Sequence, residues 1–170
     1  MNTQLSELDA DTLYRTLAQQ VKNGLAGAYH LAIVGIYSGG AWLAERLAGE
    51  LGLNARLGFI DVSFYRDDYA EKGLHAEVKP THRPFEVDGA TIVLVDDVLY
   101  TGRTTRAAIN ELFDYGRPAR IMLAALVDRG ERDLPIAADF VGRHVAIPKN
   151  QQLVLHRADD GRFSFTVDHA

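Results

Sequence analysis

Two adjacent carboxylates, Asp96 and Asp97, stand directly behind the apolar run Ile92-Val93-Leu94-Val95, and after three further residues comes the turn Thr101-Gly102-Arg103-Thr104-Thr105. The turn offers backbone N–H groups and hydroxyls at what reads as a helix start, a place suited to an anion such as phosphate. Carboxylates cannot hold that anion; they accept hydrogen bonds from hydroxyls, those of a sugar among them. A phosphate cradle beside a hydroxyl clamp fits a ribose 5-phosphate. Taken alone, a strand-end Asp-Asp is equally compatible with a metal site or a helix cap, and Thr-Gly pairs are common in turns. The spacing is not that of a Walker loop, which needs Gly-Lys-Ser/Thr, and no G-x-G-x-x-G follows a strand.

The elements that must position these groups read as alternating strands and helices. A continuous apolar run is the mark of a buried parallel strand, and ligands in open α/β sheets bind at the carboxyl ends of such strands. Behind the turn, Thr105 to Tyr115 carries Ala108, Ile109, Leu112 and Phe113 on one helical side. Near the start of the chain, Asp11 is placed to cap a helix with Leu13, Leu17, Val21 and Leu25 at helical spacing. Leu31 to Ile36 reads as a strand, and Tyr37-Ser38-Gly39-Gly40 as the turn into a helix through Trp42, Leu43 and Leu47, ending near Gly49. A second strand is expected over about Leu57 to Phe64, and Ala119 to Val127 is another continuous apolar run.

The polar stretch from Tyr65 to Asp88, with Pro80 and Pro84, has weak periodicity. Long segments of this kind inside compact domains are often lids, so a flexible loop is expected over about 66–88. Beyond Asp128, short apolar pieces at Leu134-Pro135, Phe140-Val141, Gln152 to Leu155 and Phe163 to Val167 suggest a small C-terminal cap, about 130–170, over the sheet edge. The whole pattern argues for an α/β fold with a mainly parallel twisted sheet flanked by helices, in one domain over 1–170.

Composition narrows the function classes. The chain has 170 residues, is 47% hydrophobic and carries a net charge of −5, so no whole-chain basic field draws it to nucleic acid or a membrane surface. It has no cysteine, which excludes a disulfide scaffold and cysteine-ligated zinc. No apolar stretch approaches the roughly 18–20 residues of a membrane span, and Met1-Asn2-Thr3-Gln4 lacks signal-peptide character. A cytoplasmic protein is expected.

The motif resembles the 5-phosphoribosyl-1-pyrophosphate (PRPP) signature of type I phosphoribosyltransferases. With Val127-Asp128-Arg129-Gly130, Arg132, Leu134-Pro135-Ile136, Ala138-Asp139 and Asp61-Val62-Ser63-Phe64-Tyr65-Arg66-Asp67-Asp68, it resembles more narrowly the bacterial pyrimidine operon attenuator proteins, a family that also carries uracil phosphoribosyltransferase activity. The similarity runs from about residue 8 to residue 156. It implies the type I phosphoribosyltransferase fold and the reaction of uracil with PRPP to give UMP and pyrophosphate.

By that resemblance, Asp96 and Asp97 bind the ribose 2′- and 3′-hydroxyls. Thr101, Gly102, Arg103, Thr104 and Thr105 hold the 5′-phosphate, with Val98, Leu99 and Tyr100 in the same substrate-binding run. Ser38 and Gly39 belong to the pyrophosphate loop. Arg66 acts from the flexible loop that closes on PRPP, Arg83 reaches pyrophosphate, and Asp128 and Arg129 lie beside the pyrimidine. Arg66 and Arg129 also read as ordinary ion-pairing or structural residues, and Trp42 as packing. The cofactor implied is Mg²⁺, bound mainly through PRPP near Asp96 with no direct side-chain ligation. None of the six histidines shows metal-ligand spacing. Uridine nucleotides are implied partners, and a homo-dimer or tetramer is the implied assembly.

The chain departs from this family in two places. Relatives carry Lys-Thr-Arg-Gly in the pyrophosphate loop where this chain has Tyr37-Ser38-Gly39-Gly40. Two positive charges are missing, so weak pyrophosphate affinity and low turnover are expected. The family's basic RNA-binding face is depleted as well: Ala18, Gln19, Glu131, Ala137 and Ile147 stand where that face has other side chains, while Arg15, Arg132, Arg143 and Lys149 remain. Phosphate neutralisation supplies much of RNA affinity, so little leader-RNA binding is expected. The alternative is a nucleotide-sensing regulator with weak or no catalysis, acting on RNA, DNA or a partner enzyme.

Overall fold

A computed structural model of the chain describes residues 5–62 and 85–169. Most of the expected flexible loop, with Arg66 and Arg83, lies outside the described residues. Its expected last residues do not behave as a loop: Phe85 and Val87 are buried in the core, so the chain is anchored from residue 85 onward.

The order of elements is α1 (Ala10–Gly24), β1 (Leu31–Ile36), α2 (Gly39–Leu51), β2 (Leu57–Ile60), β3 (Thr91–Leu99), α3 (Arg103–Asp114), β4 (Arg120–Asp128), β5 (Phe140–His144), β6 (Gln151–Arg157) and β7 (Phe163–His169). Five strands form one sheet in the order β2-β1-β3-β4-β5, and every pairing in it is parallel. Helices on both faces explain why β1, β3 and β4 are apolar almost without interruption. One face packs Ile33, Val93, Val95, Ala124 and Leu126 against α1 and α2. The other packs Val34, Ile92, Leu94, Leu123 and Ala125 against Ala108 and Leu112 of α3. The chain leaves β1 through α2 toward one edge and β3 through α3 toward the other. The order therefore reverses between β1 and β3, the switch point where ligands of open α/β sheets sit.

Several boundaries differ from the sequence reading. Asp9, not Asp11, caps α1: its carboxylate accepts from the N–H groups of Asp11 and Thr12. Asp11 instead pairs with Arg46 at 3.0 Å and accepts from the Phe163 N–H. α2 runs to Leu51, with Gly52 as its left-handed cap rather than an end near Gly49. β2 ends at Ile60, and Leu134-Pro135 forms no strand.

The expected cap divides. β5 joins the main sheet beside β4, whereas β6 and β7 form a separate antiparallel hairpin. That hairpin lays Leu153, Leu155 and Phe163 against the α1/α2 core. The free edge of β5 is met by α1, where the Gln20 amide donates to the Val141 carbonyl at 2.8 Å and accepts its N–H at 3.0 Å. Among the described residues, no helix is long and apolar enough to cross a membrane.

α2 lies directly on the sheet because Gly35 has no side chain. A Cβ there would stand 2.6 Å from the Ala41 Cα and the Gly40 carbonyl oxygen. Gly35→Ala is therefore expected to lower unfolding free energy by about 3 kcal/mol, as overpacking against backbone does. A urea midpoint equal to that of the unsubstituted protein would show that α2 can retreat at no cost.

Candidate active site

β3 continues through the two carboxylates to Leu99, although its pairing with β1 ends at Gly35–Val95. Past Val95 the β1 side of β3 has no strand partner among the described residues, while pairing with β4 continues to Leu99–Asp128. Successive N–H groups face opposite sides of the strand, and each meets the carboxylate before it: Asp96 accepts from the Asp97 N–H at 2.9 Å, and Asp97 from the Val98 N–H at 2.8 Å. The two carboxylates diverge. By strand alternation, Asp96 lies on the α3 side, where it is buried. Asp97 lies on the α2 side, against Gly39: a Cβ on Gly39 would collide with the Asp97 carboxylate. Val98 then packs on the α1/α2 side and Leu99 on the α3 side. Their side chains serve the core, so what they present to a ligand is backbone.

Two helices open at this mouth, and neither has a side-chain cap. α2 starts behind Ser38, through a cis Tyr37–Ser38 peptide and the buried pair Gly39-Gly40. A Cβ on Gly40 would strike the Val95 carbonyl, so this turn packs on β3 itself. α3 starts behind Gly102, whose φ of 95° is open to glycine and costly for other residues. Thr101 accepts the Arg103 N–H through its hydroxyl. The Thr105 hydroxyl is buried with no hydrogen-bond partner among the described residues, an arrangement that a bound anion's oxygen would satisfy. The first N–H groups of a helix have no intrahelical partner and carry partial positive charge. Both starts therefore suit anionic ligands, at the ends of neighbouring strands.

Arg103 is exposed and pairs with Asp133 at 3.4 Å, an ion pair that contributes little to stability. Thr104 is partly exposed at the same helix start. Trp42 is partly buried against the α1/α2 core with the Arg157 guanidinium 5.3 Å from its ring, as the packing reading expects.

Arg129 turns its side chain inward. Its guanidinium donates to the carbonyls of Ile147, Pro148 and Gln151 and lies 3.8 Å from the centre of the Tyr100 ring. It is buried by these contacts, which match the structural role the sequence also allowed and leave its backbone to face a ligand at the end of β4. Asp128, at the end of β4, pairs with Arg132 at 2.6 Å, accepts from the Gly130 N–H and lies 3.7 Å from His144. Arg132, which the sequence offered as part of the family string and as a cation of the RNA-binding face, is 21% exposed and holds this cluster together. The signal was its spacing of four from Asp128. Among the described residues, no cluster of three or more His, Asp or Glu is arranged to hold a metal. Two carboxylates at the mouth suit a Mg²⁺ ion that arrives with a diphosphate, the usual manner of Mg²⁺ binding.

Burial pushes the Asp128 carboxyl up, but the hydrogen bonds from Arg132 and Gly130 and the nearby charges outweigh it and hold it below the usual carboxylate range. A depressed folded-state value means stabilisation that is complete above the unfolded value, about pH 4, and is lost as pH falls through the folded one. Asp128→Asn should cost about 3 kcal/mol at pH 7 by leaving the Arg132 charge without its carboxylate. The difference in melting temperature should hold from pH 7 to about pH 5 and shrink below about pH 4. A difference independent of pH would dissociate the ion pair from stability.

Residues 5–152 match the family described as phosphoribosyl transferase domain. The chain is similar to the bifunctional protein PyrR of Ralstonia nicotianae, with 54% identity over 165 residues that cover 94% of each chain. It is similar to the bifunctional protein PyrR of Nitrosococcus oceani at 47% identity over 161 residues, 92% of this chain and 91% of that one. Among solved structures it is similar to the purine phosphoribosyltransferase from Pyrococcus horikoshii, with a TM-score of 0.61 and 26% identity, covering 80% of this chain and 82% of that one. The open carboxylate edge, the two uncapped helix starts and these similarities agree: the chain belongs to the phosphoribosyltransferase domain family and, within it, to the bifunctional PyrR proteins.

Proposed function

We propose that the protein transfers the phosphoribosyl group of PRPP to uracil, giving UMP and pyrophosphate, and serves pyrimidine regulation in the cytoplasm through the same nucleotide site. The observation that carries this reading is the pair of uncapped helix starts flanking Asp97 at the β1/β3 switch point. α3, with Thr101 and Thr105, takes the 5′-phosphate. The turn Tyr37 to Gly40, at the start of α2, takes the pyrophosphate through backbone N–H groups. Asp96 and Asp97 take the ribose hydroxyls.

Breaking the bond from C1 to pyrophosphate develops positive charge on the ribose ring, as in glycoside chemistry. The carboxylates of Asp96 and Asp97 stabilise that charge without reorganising, because they are already held by backbone N–H groups. The fixed 5′-phosphate anchors the ribose in the site, and the carboxylates orient its ring. When bound on the diphosphate, Mg²⁺ supplies charge neutralisation of the leaving group.

A specific observation favours a second reading, a uridine-nucleotide sensor with slow turnover. The turn into α2 brings no cation, and the Asp97 carboxylate lies against Gly39. A diphosphate arriving there meets backbone dipoles and a negative side chain. A nucleoside monophosphate, which needs only the α3 start and the carboxylates, avoids that opposition. The same electrostatics bear on RNA: Arg132, one of the few remaining cations of that face, is committed to Asp128.

Purified protein with PRPP and Mg²⁺ should form UMP from uracil and no nucleotide from hypoxanthine or orotate. Asp97→Asn should lower kcat/KM by about a hundredfold or more while leaving the melting temperature within a few degrees, as loss of a preorganised electrostatic group does. UMP binding without detectable turnover would select the sensor. Nanomolar affinity for a pyrimidine-operon leader transcript would overturn the weakened basic face.

A further inference from the structure

The loop behind β4 grips three consecutive residues that lead into the α3 start. Arg132 donates to the Tyr100 carbonyl at 2.9 Å. The Asp133 and Leu134 N–H groups both donate to the Thr101 carbonyl, at 2.9 and 3.1 Å. Ile136 and Leu134 pack on Gly102, where an added Cβ would stand 2.9 Å from Ile136. Besides the exposed Asp133–Arg103 ion pair, the loop's charged contact here is that of Arg132, and it does more than touch Tyr100. The same guanidinium donates through Nε to the Ile136 carbonyl at 2.9 Å and to Asp128 Oδ2 at 2.6 Å. It thus links the end of β4, its own loop and the residue before the Thr101-Gly102 turn. Gly130, at φ 73°, and Glu131, at φ 58°, reverse the chain between Asp128 and Arg132 so that the side chain can point back.

We infer that Arg132 is the positioning residue of the 5′-phosphate turn: by bridging Asp128, Ile136 and Tyr100 it sets the orientation of residues 101–105 without touching substrate. Lysine cannot replace it. A single ammonium carries the same charge but lacks the rigid fork needed to meet three acceptors in different directions. The inference rests on the reading of residues 101–105 as the phosphate turn.

The 5′-phosphate does not react, so it is held alike in the ground and transition states. Misorienting its turn weakens binding more than it slows chemistry. Arg132→Lys should raise the KM for PRPP and the Kd for UMP together, each by about tenfold, with kcat within about threefold of the unsubstituted protein. A purely structural role would lower kcat with the folded fraction and leave KM and Kd unchanged; that result, or constants equal to the unsubstituted protein's, would overturn the inference. Should Arg132→Lys not fold, amide hydrogen exchange on the unsubstituted protein decides. UMP should protect 132–136 together with 101–105, and protection confined to 101–105 would sink the coupling. Failure of the unsubstituted protein to bind UMP or PRPP at all would instead remove the phosphate-turn reading, and this inference with it.

Discussion

Past Val95, β3 has a strand on one side only. β1 stops to turn into α2, while β4 stays paired with β3 as far as Leu99. An N–H left unpaired and buried on the abandoned side would cost free energy comparable to a lost hydrogen bond. The carboxylates of Asp96 and Asp97 accept from the N–H groups of the residues that follow them, one on each side of the strand. These bonds fix both acids at the edge where the sheet divides. The proposed chemistry depends on carboxylates held in place by their own strand.

The surrounding packing serves to keep that edge open. Gly35 lets α2 lie on β1, and Gly40 lets its first turn lie on β3. α3 goes to the opposite face, where it covers Ile92 and Leu94. Two helix starts thereby converge on one crevice from opposite faces, and their dipoles supply the positive potential that a loop without cations lacks. The site is assembled mainly from backbone, with few side chains spent on it. Two positive side chains near it sit one layer back: Arg129 and Arg132 bind carbonyls and a carboxylate instead of facing the mouth.

How much of this the sequence displays depends on the range of the interaction. Strands β1, β3 and β4 are legible because both of their faces are covered, so they are apolar without alternation. The α3 start is legible because Thr101 and Gly102 act within a few residues. Asp9 and Asp11 are alike as caps in the sequence; Arg46, in another helix, and the Phe163 N–H draw Asp11 away. β5 passed for part of a cap since a five-residue edge strand has little pattern of its own and is defined by its pairing with β4. The burial of Arg129 is set by carbonyls 18 to 22 residues downstream, which leave no mark in local composition. The divergence of Asp96 and Asp97 follows from strand alternation, but only once the strand is known to continue through them.

The amide of Gln20 engages both backbone groups of Val141 on the outer edge of β5. In hydrogen-bonding terms the side chain behaves as one residue of a sixth strand. A second sheet cannot add at that edge without first displacing α1, so the protein is guarded there against the edge-to-edge growth that leads to aggregation. For copies of this chain that assemble, a continuous sheet across subunits is closed at Val141.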